Sequence, residues 1–579
     1  MNDSSLASTS PRRPLRVWPA AALIAIMILV PMVARSIEDG PAWIWMVSAF
    51  GPALCSIVLL IWWLAASRAT VREKLIGFGC LLLGLVLAIL AMHPSMHGPA
   101  IIVIVFPGAT SLFVVGVCLA DRFLSARRTA VGLGAALVVL LLALMARTEG
   151  LWGNFKQELT WRWSQSVEEK LLTSAAAPAK ASAQATADES PSEWPGFRGA
   201  ARDSRQTGLK FSSDWAATPP QLLWKIPVGP GWSSFAHQGG LLFTQEQRGP
   251  QEMIVCYSAE TGAQVWTSAW EARLDDPLGG PGPRATPTLA GGRLYAQGAT
   301  GILRCLNPKD GAMLWERNIG EIAGRQPPMW GFSSSPLVTG DVVIVHAGGA
   351  GDKATLAFDV ATGEPRWSAP GGDDSYSSPQ LAKYGEEEFV LMLSNLGLEF
   401  LSPATGAVRF SYAWKHTDHR ALQPQFASAD TVLLPTGMGA GTRLIRLARN
   451  GDALTAEEVW TSRYLKPDFN DFVLYEGHAY GFDSSIFTCI NLATGERAWK
   501  GGRYGKGQVL LLADSGLLFV MGERGEGVLL RATSEAHEEL ANVPLLEGKT
   551  WNHPAIVGDR LFVRNAEEAA CYRLPVVKE

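Results

Sequence analysis

Ser258-Ala-Glu-Thr-Gly-Ala-Gln-Val-Trp266 is the first of a series that continues with Asn307-Pro-Lys-Asp-Gly-Ala-Met-Leu-Trp315, Asp359-Val-Ala-Thr-Gly-Glu-Pro-Arg-Trp367, Ser402-Pro-Ala-Thr-Gly-Ala-Val-Arg-Phe410 and Asn491-Leu-Ala-Thr-Gly-Glu-Arg-Ala-Trp499. In each, an Asp, Asn or Ser bonds its own backbone to start a tight turn, and a Gly supplies a positive φ. The closing Trp or Phe is left to pack between neighbouring sheets. A longer version runs from Asn450-Gly451 to Trp460, so six repeats carry the turn. The closing aromatics fall 49, 52, 43, 50 and 39 residues apart, a period suited to one four-stranded propeller blade. Two alternating strands precede each turn, as in Ser335-Pro-Leu-Val-Thr-Gly-Asp-Val-Val-Ile-Val-His346.

A seventh repeat, Gln508 to Leu546, and an eighth, Trp551 to Leu574, keep the strand pattern without the turn. The eighth lacks its outermost strand, and an orphan strand stands ahead of the first repeat: Gln221-Leu-Leu-Trp-Lys-Ile-Pro-Val228. Its Trp224 lies 42 residues before Trp266, one repeat away. The orphan is expected to complete blade eight and close the ring, which removes exposed sheet edges. The fold class expected is an all-β eight-bladed β-propeller over 221–575.

Ahead of it, residues 17–34, 42–66, 75–92, 99–120 and 129–146 are apolar and long enough to cross a bilayer as helices. An α-helical transmembrane domain of about five helices is expected over 1–150. Arg12, Arg13 and Arg16, then Arg68, Arg72 and Lys74, then Arg122, Arg127 and Arg128 fall on one side of these spans. Basic loops stay cytoplasmic, so the N-terminus is expected inside a bacterial inner membrane and the propeller in the periplasm. Residues 151–172 read as a Trp-rich juxtamembrane segment, 173–192 as a flexible Ala/Ser/Pro linker and 193–220 as a leader to the propeller.

Charge excludes one class of partner. Residues 1–150 hold 11 Lys/Arg and 6 Asp/Glu, which leaves 39 basic against 48 acidic residues beyond them. Such a balance offers no phosphate-binding patch, so no nucleic acid is expected. Of seven cysteines, Cys55, Cys80 and Cys118 sit in the spans, while Cys256, Cys305, Cys489 and Cys571 share one repeat position with Ala357 and Phe400. That is the pattern of a small apolar packing site and requires no disulfide.

The Asp-x-x-Thr-Gly-x-x-x-Trp turns resemble the tryptophan-docking repeats of quinoprotein dehydrogenases and of the related propeller lipoprotein of bacterial outer-membrane protein assembly. The leader Trp194-Pro-Gly-Phe-Arg-Gly199, followed by Arg202-Asp203, resembles the segment preceding many such quinone-binding-like propellers. The resemblance implies the fold. For the dehydrogenases it also implies pyrroloquinoline quinone (PQQ), Ca2+ and two adjacent cysteines joined against the cofactor ring. No adjacent cysteines occur here, and no cofactor is expected.

In a propeller the inner strands all start near one mouth of the central channel. The residues read there are Trp232, Ser233, Arg284, Phe332, Tyr376, Gln423, Gln425, Asn470, Asp471, Lys506, Gln508, Asn552 and His553. Aromatics among hydrogen-bonding groups make either a structural lining or a ligand cup. Arg284, Asp471, Lys506 and His553 are its least structural members, and Arg284 and Asp471 are expected to face each other across a solvated funnel. His416 and His419 with Asp418 have a metal-like spacing but sit in a polar loop without a clear third ligand, and Thr436 to Gly441 reads as a hairpin bend rather than a phosphate loop. No nucleophile, base and orienting acid assemble from the sequence.

The reading that results is a membrane-anchored binding or scaffold propeller engaging envelope proteins or a small molecule at its mouth. A small-molecule or quinone sensor and a PQQ-dependent oxidoreductase are the alternatives. A phosphatase fused after Glu579 is expected to be active, because that enzyme works only when exported. A cytoplasmic reporter at the same point is expected to stay dark, and the opposite pair of results would reverse the topology.

Overall fold

The computed structural model describes residues 14–36, 42–153, 156–174, 193–276, 278–416, 419–437, 439–451 and 453–577. The chain forms two compact units, Met1–Ser164 and Gln165–Glu579. The first contains helices α1 (Val17–Ser36), α2 (Ala42–Ile61), α3 (Val71–Ala91), α4 (Phe106–Phe123) and α5 (Arg128–Met145). Wider π-turns at Trp62–Ala66 and Ile101–Val105 continue α2 and lead into α4. Five segments, Val17–Ala34, Met46–Ala66, Val71–Ala91, Ile101–Phe123 and Ser125–Met145, are long and apolar enough to cross a membrane.

These helices pack through small residues. A Cβ on Gly116 of α4 would lie 2.9 Å from the Cα of Gly132 on α5, a close approach typical of helices that meet in lipid. The third to fifth helices reach further than the sequence pattern, and this brings charge into the unit. Arg128 is 1% exposed and donates to Glu73 through Nε (3.1 Å) and Nη2 (2.9 Å), and to Asp121 through Nη1. The helix ends therefore hold a paired trio of charges.

The second unit is the eight-bladed propeller. Blades one to seven span 236–271, 288–318, 337–369, 380–413, 425–462, 473–503 and 508–544, each a four-stranded meander, with Arg205–Gln206 added to the inner edge of blade seven. Blade eight takes three strands from 555–573 and its outermost strand from Gln221–Pro227, which pairs antiparallel with Glu568–Arg573. The ring thus closes between the two ends of the propeller sequence, as the orphan strand led one to expect.

Successive blades are joined by their tryptophans. The indole N–H of Trp224 donates to Ala259 O (3.0 Å), Trp266 to Pro308 O (3.1 Å), Trp315 to Val360 O (3.1 Å), Trp367 to Pro403 O (3.0 Å) and Trp460 to Leu492 O (3.0 Å). Each acceptor lies in the turn of the next blade. The turn glycine is needed twice over: Gly311 has φ +72°, and a Cβ there would come within 2.5 Å of the Trp266 ring. Opposite each docking Trp sits the shared cysteine position: Cys256 pairs with Trp266, Cys305 with Trp315, Cys489 with Trp499 and Cys571 with Trp224. All four are free thiols with no exposure, and burial pushes Cys305, Cys489 and Cys571 up to about 12. They are inert packing groups.

The docking fails where the repeat has drifted. Phe410 has no N–H to offer, and Gly451, in the long hairpin of the following blade, would have nothing within 4 Å of an added Cβ. This contrast generates a test. Gly451→Ala adds only the strain of a left-handed residue, about 1–2 kcal/mol. Gly311→Ala adds the same strain and a clash with the seated Trp266, about 1–3 kcal/mol more. Thermal unfolding is therefore expected to fall clearly further for Gly311→Ala, and equal shifts would mean that the indole is not what the glycine accommodates.

Candidate functional site

Each inner strand begins on one face of the ring, the mouth, while the Thr-Gly turns lie on the other. Just ahead of the strands a polar side chain from one blade holds the backbone of its neighbour. Ser234 N donates to Thr286 Oγ1 (3.0 Å), Thr286 N to Ser335 Oγ (2.9 Å) and Ser335 N to Ser378 Oγ (2.9 Å). Gln423 Nε2 donates to Pro379 O (3.2 Å), Asp471 N to Gln508 Oε1 (3.0 Å), Gln508 Nε2 to Trp551 O (2.9 Å), and Ser234 Oγ to His553 O (2.6 Å). Asn552 Nδ2 adds bonds to Gly231 O and Ser233 O, and the Ser233 hydroxyl accepts from Gln245 N. This girdle satisfies backbone groups that have not yet entered a ladder.

The channel inside the girdle is filled by the leader. Trp194 O accepts from His237 N (2.8 Å) and Pro195 O from Leu289 N (2.7 Å), and Arg205–Gln206 runs parallel to Leu511–Leu512. From the turns ahead of this strand the side chains reach towards the mouth. Arg202 donates to Pro336 O (2.5 Å) and Pro379 O (2.6 Å), and burial beside Arg198 pushes its guanidinium down to about 9. Arg198 Nε donates to Asp471 Oδ2 (2.7 Å) and Nη2 to Phe472 O (2.9 Å). The backbone is bent to do this: Arg198, Arg202 and Ser204 all have left-handed φ of 65°, 54° and 58°, strained for residues with a Cβ.

Asp471 is therefore 1% exposed and not part of a solvated funnel wall. Burial opposes its charge, but Arg198, followed by His553 and Ser204, outweighs it and holds the carboxyl below its usual range. Ser204, His553 and Asp471 have the composition of a catalytic triad without its geometry. Ser204 Oγ (2.9 Å) and Asp471 Oδ2 (3.0 Å) both lie on His553 Nε2, while Nδ1 faces Pro554 O at 2.7 Å. A triad needs the hydroxyl and the carboxylate on opposite ring nitrogens, so His553 is not placed to take the Ser204 proton on one nitrogen while Asp471 orients the ring through the other.

The other mouth residues are also engaged internally. Arg284 pairs with Asp276 and Lys506 with Asp468. Asn470 Nδ2 donates to Ser484 O (3.0 Å), Phe332 is buried against blade two, and Gln425 begins the inner strand of blade five. Arg284 and Asp471 each have their own partner rather than a shared gap to bridge. Two aromatic groups stand on the rim. Trp551 packs on Trp232 (4.9 Å) and Phe469 (5.0 Å), with the Lys549 ammonium over both indoles; Trp330 packs on Tyr376 (5.1 Å) and His419 (4.5 Å).

His419 lies in a partly exposed loop and holds Asp374 at 3.0 Å. Asp418 lies outside the described residues, as does Met438 of the 436–441 bend, whose flanking strands Thr431–Leu434 and Thr442–Asn450 pair as a hairpin. What the sequence missed is the plug (Arg198, Arg202, Ser204) and the counter-ions Asp276, Asp374 and Asp468. Only the leader motif signalled any of them.

The donor set does not fit a quinone with calcium. The mouth carboxylates Asp276, Asp374, Asp468 and Asp471 each already face a cation or imidazole, and among the described residues no group of three His, Cys, Asp or Glu is placed to hold a metal.

The family model for outer membrane protein assembly factor BamB matches residues 218–323 and 250–501, so the propeller is built of repeats of that PQQ-like kind. No curated protein matches the chain. Among solved structures, BamB from Moraxella catarrhalis is 13% identical with a TM-score of 0.45, over 61% of this chain and 100% of that one. Quinohemoprotein alcohol dehydrogenase from Comamonas testosteroni is 13% identical with a TM-score of 0.47, over 68% and 82%. A europium-containing methanol dehydrogenase is 12% identical with a TM-score of 0.46, over 68% and 100%. Likeness at this level bears on no residue's role.

Asp471→Asn is expected to destabilise the propeller by about 3–5 kcal/mol, because Arg198 is left buried without a counter-charge. Because the folded carboxyl titrates low, its contribution is complete above the unfolded value near ~3.9 and is lost as pH falls through the folded one. Denaturant unfolding of the wild type is expected to weaken over that acid window, and Asp471→Asn to lose that part of the pH dependence. A variant as stable as the wild type would mean that the plug does not depend on this pair.

Proposed function

We propose that this protein is a binding or scaffold propeller of the bacterial cell envelope, held on the periplasmic side of the inner membrane by its five helices, and that it takes its partner on the mouth rim. The observation that carries the reading is the division of labour at the mouth. The charged axial groups Asp471, Arg284 and Lys506 are each paired within the fold, while the rim keeps apolar surface. Met329 is 59% exposed, Leu396 42%, Tyr464 39% and Phe469 37%, all on connections or hairpins of the mouth face, beside the aromatic groups around Trp330 and Trp551. Exposed apolar groups gathered at one end of a rigid scaffold mark interaction surfaces. The repeats shared with an outer membrane protein assembly factor support a protein as the partner, and the basic loops between the helices support the periplasmic side.

The test compares two faces of the same protein. Full-length protein is tagged, cross-linked in cells, extracted in detergent and its companions quantified. Met329→Asp with Phe469→Asp is expected to cut recovery of the specific companion about 10-fold or more, the scale of losing one buried apolar anchor. Met313→Asp, at an exposed site on the outer strand of blade two, is expected to change nothing. Loss with Met313→Asp but not with the rim pair would move the binding surface to the blade edges.

A further inference from the structure

The helix Val167–Ser174 follows the last apolar helix in sequence but belongs to the propeller unit. It opens with a capping box: Glu169 N donates to Ser166 Oγ (3.0 Å) and Ser166 N to Glu169 Oε2 (2.6 Å). Eight residues are too few to hold a helix in water, so its order depends on docking. Leu171 is buried, and Glu168 supplies the anchor by accepting from Gly249 N (2.5 Å) and, in a two-pronged pair, from Arg273 Nη1 (2.8 Å) and Nη2 (3.1 Å).

Arg273 also holds the mouth. Its Nε and Nη2 bind Asp275 at 2.7 and 3.1 Å, and Asp275–Asp276 forms a small hairpin with Gly280–Pro281. Asp276 caps Leu278 N and Gly279 N at 2.8 Å each and pairs with Arg284. Gly279 O accepts from the Trp232 indole at 2.8 Å, and Trp232 lies on Trp551. A run of hydrogen bonds, carried across the Asp275–Asp276 peptide, therefore joins Glu168 to an aromatic group of the rim through a small hairpin.

We infer that Val167–Ser174 is a latch coupled to the mouth through the Asp275–Pro281 hairpin, so that a partner seated on Trp232 and the docking of the latch bias each other. The docked and undocked helix is the two-state element that such coupling requires, and by linkage the effect runs equally both ways. This adds regulation to the rim reading and rests on it for the partner, but the coupling itself is measurable without one.

Hydrogen exchange of the full chain in detergent reads it. Glu168→Gln is expected to speed exchange in 167–174 and, across the hairpin, in 275–282. Arg284→Ala is expected to speed exchange in 275–282 and also in the remote helix, by roughly 5-fold or more, the lower end of ordinary coupling. Trp232→Phe keeps an aromatic ring, smaller than the indole, but removes the N–H that donates to Gly279 O, and is the milder second probe from the mouth side. Wild-type protection of Val342–His346 in blade three confirms that each variant remains folded. If Arg284→Ala and Trp232→Phe both leave 167–174 at wild-type rates, the coupling is refuted. The rim reading fails separately, by unchanged companion recovery in the rim variants.

Discussion

The indole of one blade seated on the turn of the next is the contact on which the ring depends. Each indole hydrogen bond contributes only about 0.5–1.5 kcal/mol net, but it comes with a large ring buried over a turn glycine, and it repeats around the axis. The contact also has a direction, since the outer strand of one blade always docks on the blade that follows. Such a series is complete only if the last blade can dock on the first. Trp224 does this by donating to Ala259 O of blade one from a strand that pairs with blade eight. The closing strand thus joins two blades by two different interactions, a ladder on one side and a docked indole on the other.

Where docking is lost, other interactions replace it. The long hairpin of blade five reaches back to blade four through Arg449 and Glu387. Blade seven has no tryptophan in its outer strand, and Tyr572 of blade eight donates instead to Leu545 O (2.7 Å). Trp499 still finds a carbonyl, Thr533 O at 2.8 Å, although the blade that receives it has lost the Thr-Gly turn. At the two junctions without an indole, four to five and seven to eight, the contact has passed to charged or phenolic groups.

This explains which parts of the protein were legible in its sequence. The turns, the tryptophans and the cysteine position are local and periodic, so a single chain displays them repeatedly, and the missing strand of blade eight could be found by counting. The plug has no period. Arg198 meets Asp471 across 273 residues and Ser204 meets His553 across 349, and neither partner announces the other. Asp471, Arg284 and Lys506 were singled out because a strand start has no intrinsic need for charge. That reasoning holds within the repeat, but the need comes from outside it: from the leader for Asp471, and from connecting segments for the other two.

The same accounting locates where a function can be added. Girdle and plug pair the charged groups near the axis, the docked indoles hold the blades together at their outer strands, and altering any of them costs stability before it changes binding. The connections carry part of this framework, with Thr286 and Ser335 in the girdle and Phe332 buried, but their lengths are unequal. Four residues suffice between Arg503 and Gln508, whereas sixteen separate Glu271 from Thr288 and eighteen separate Asn318 from Leu337. Long connections in a compact domain are usually functional. These two carry the Asp275–Pro281 hairpin with Arg284 and the exposed Met329 beside Trp330, so the excess chain lies on the mouth rim, in part packed on the blades through Ile319, Ala323 and Phe332 and in part exposed.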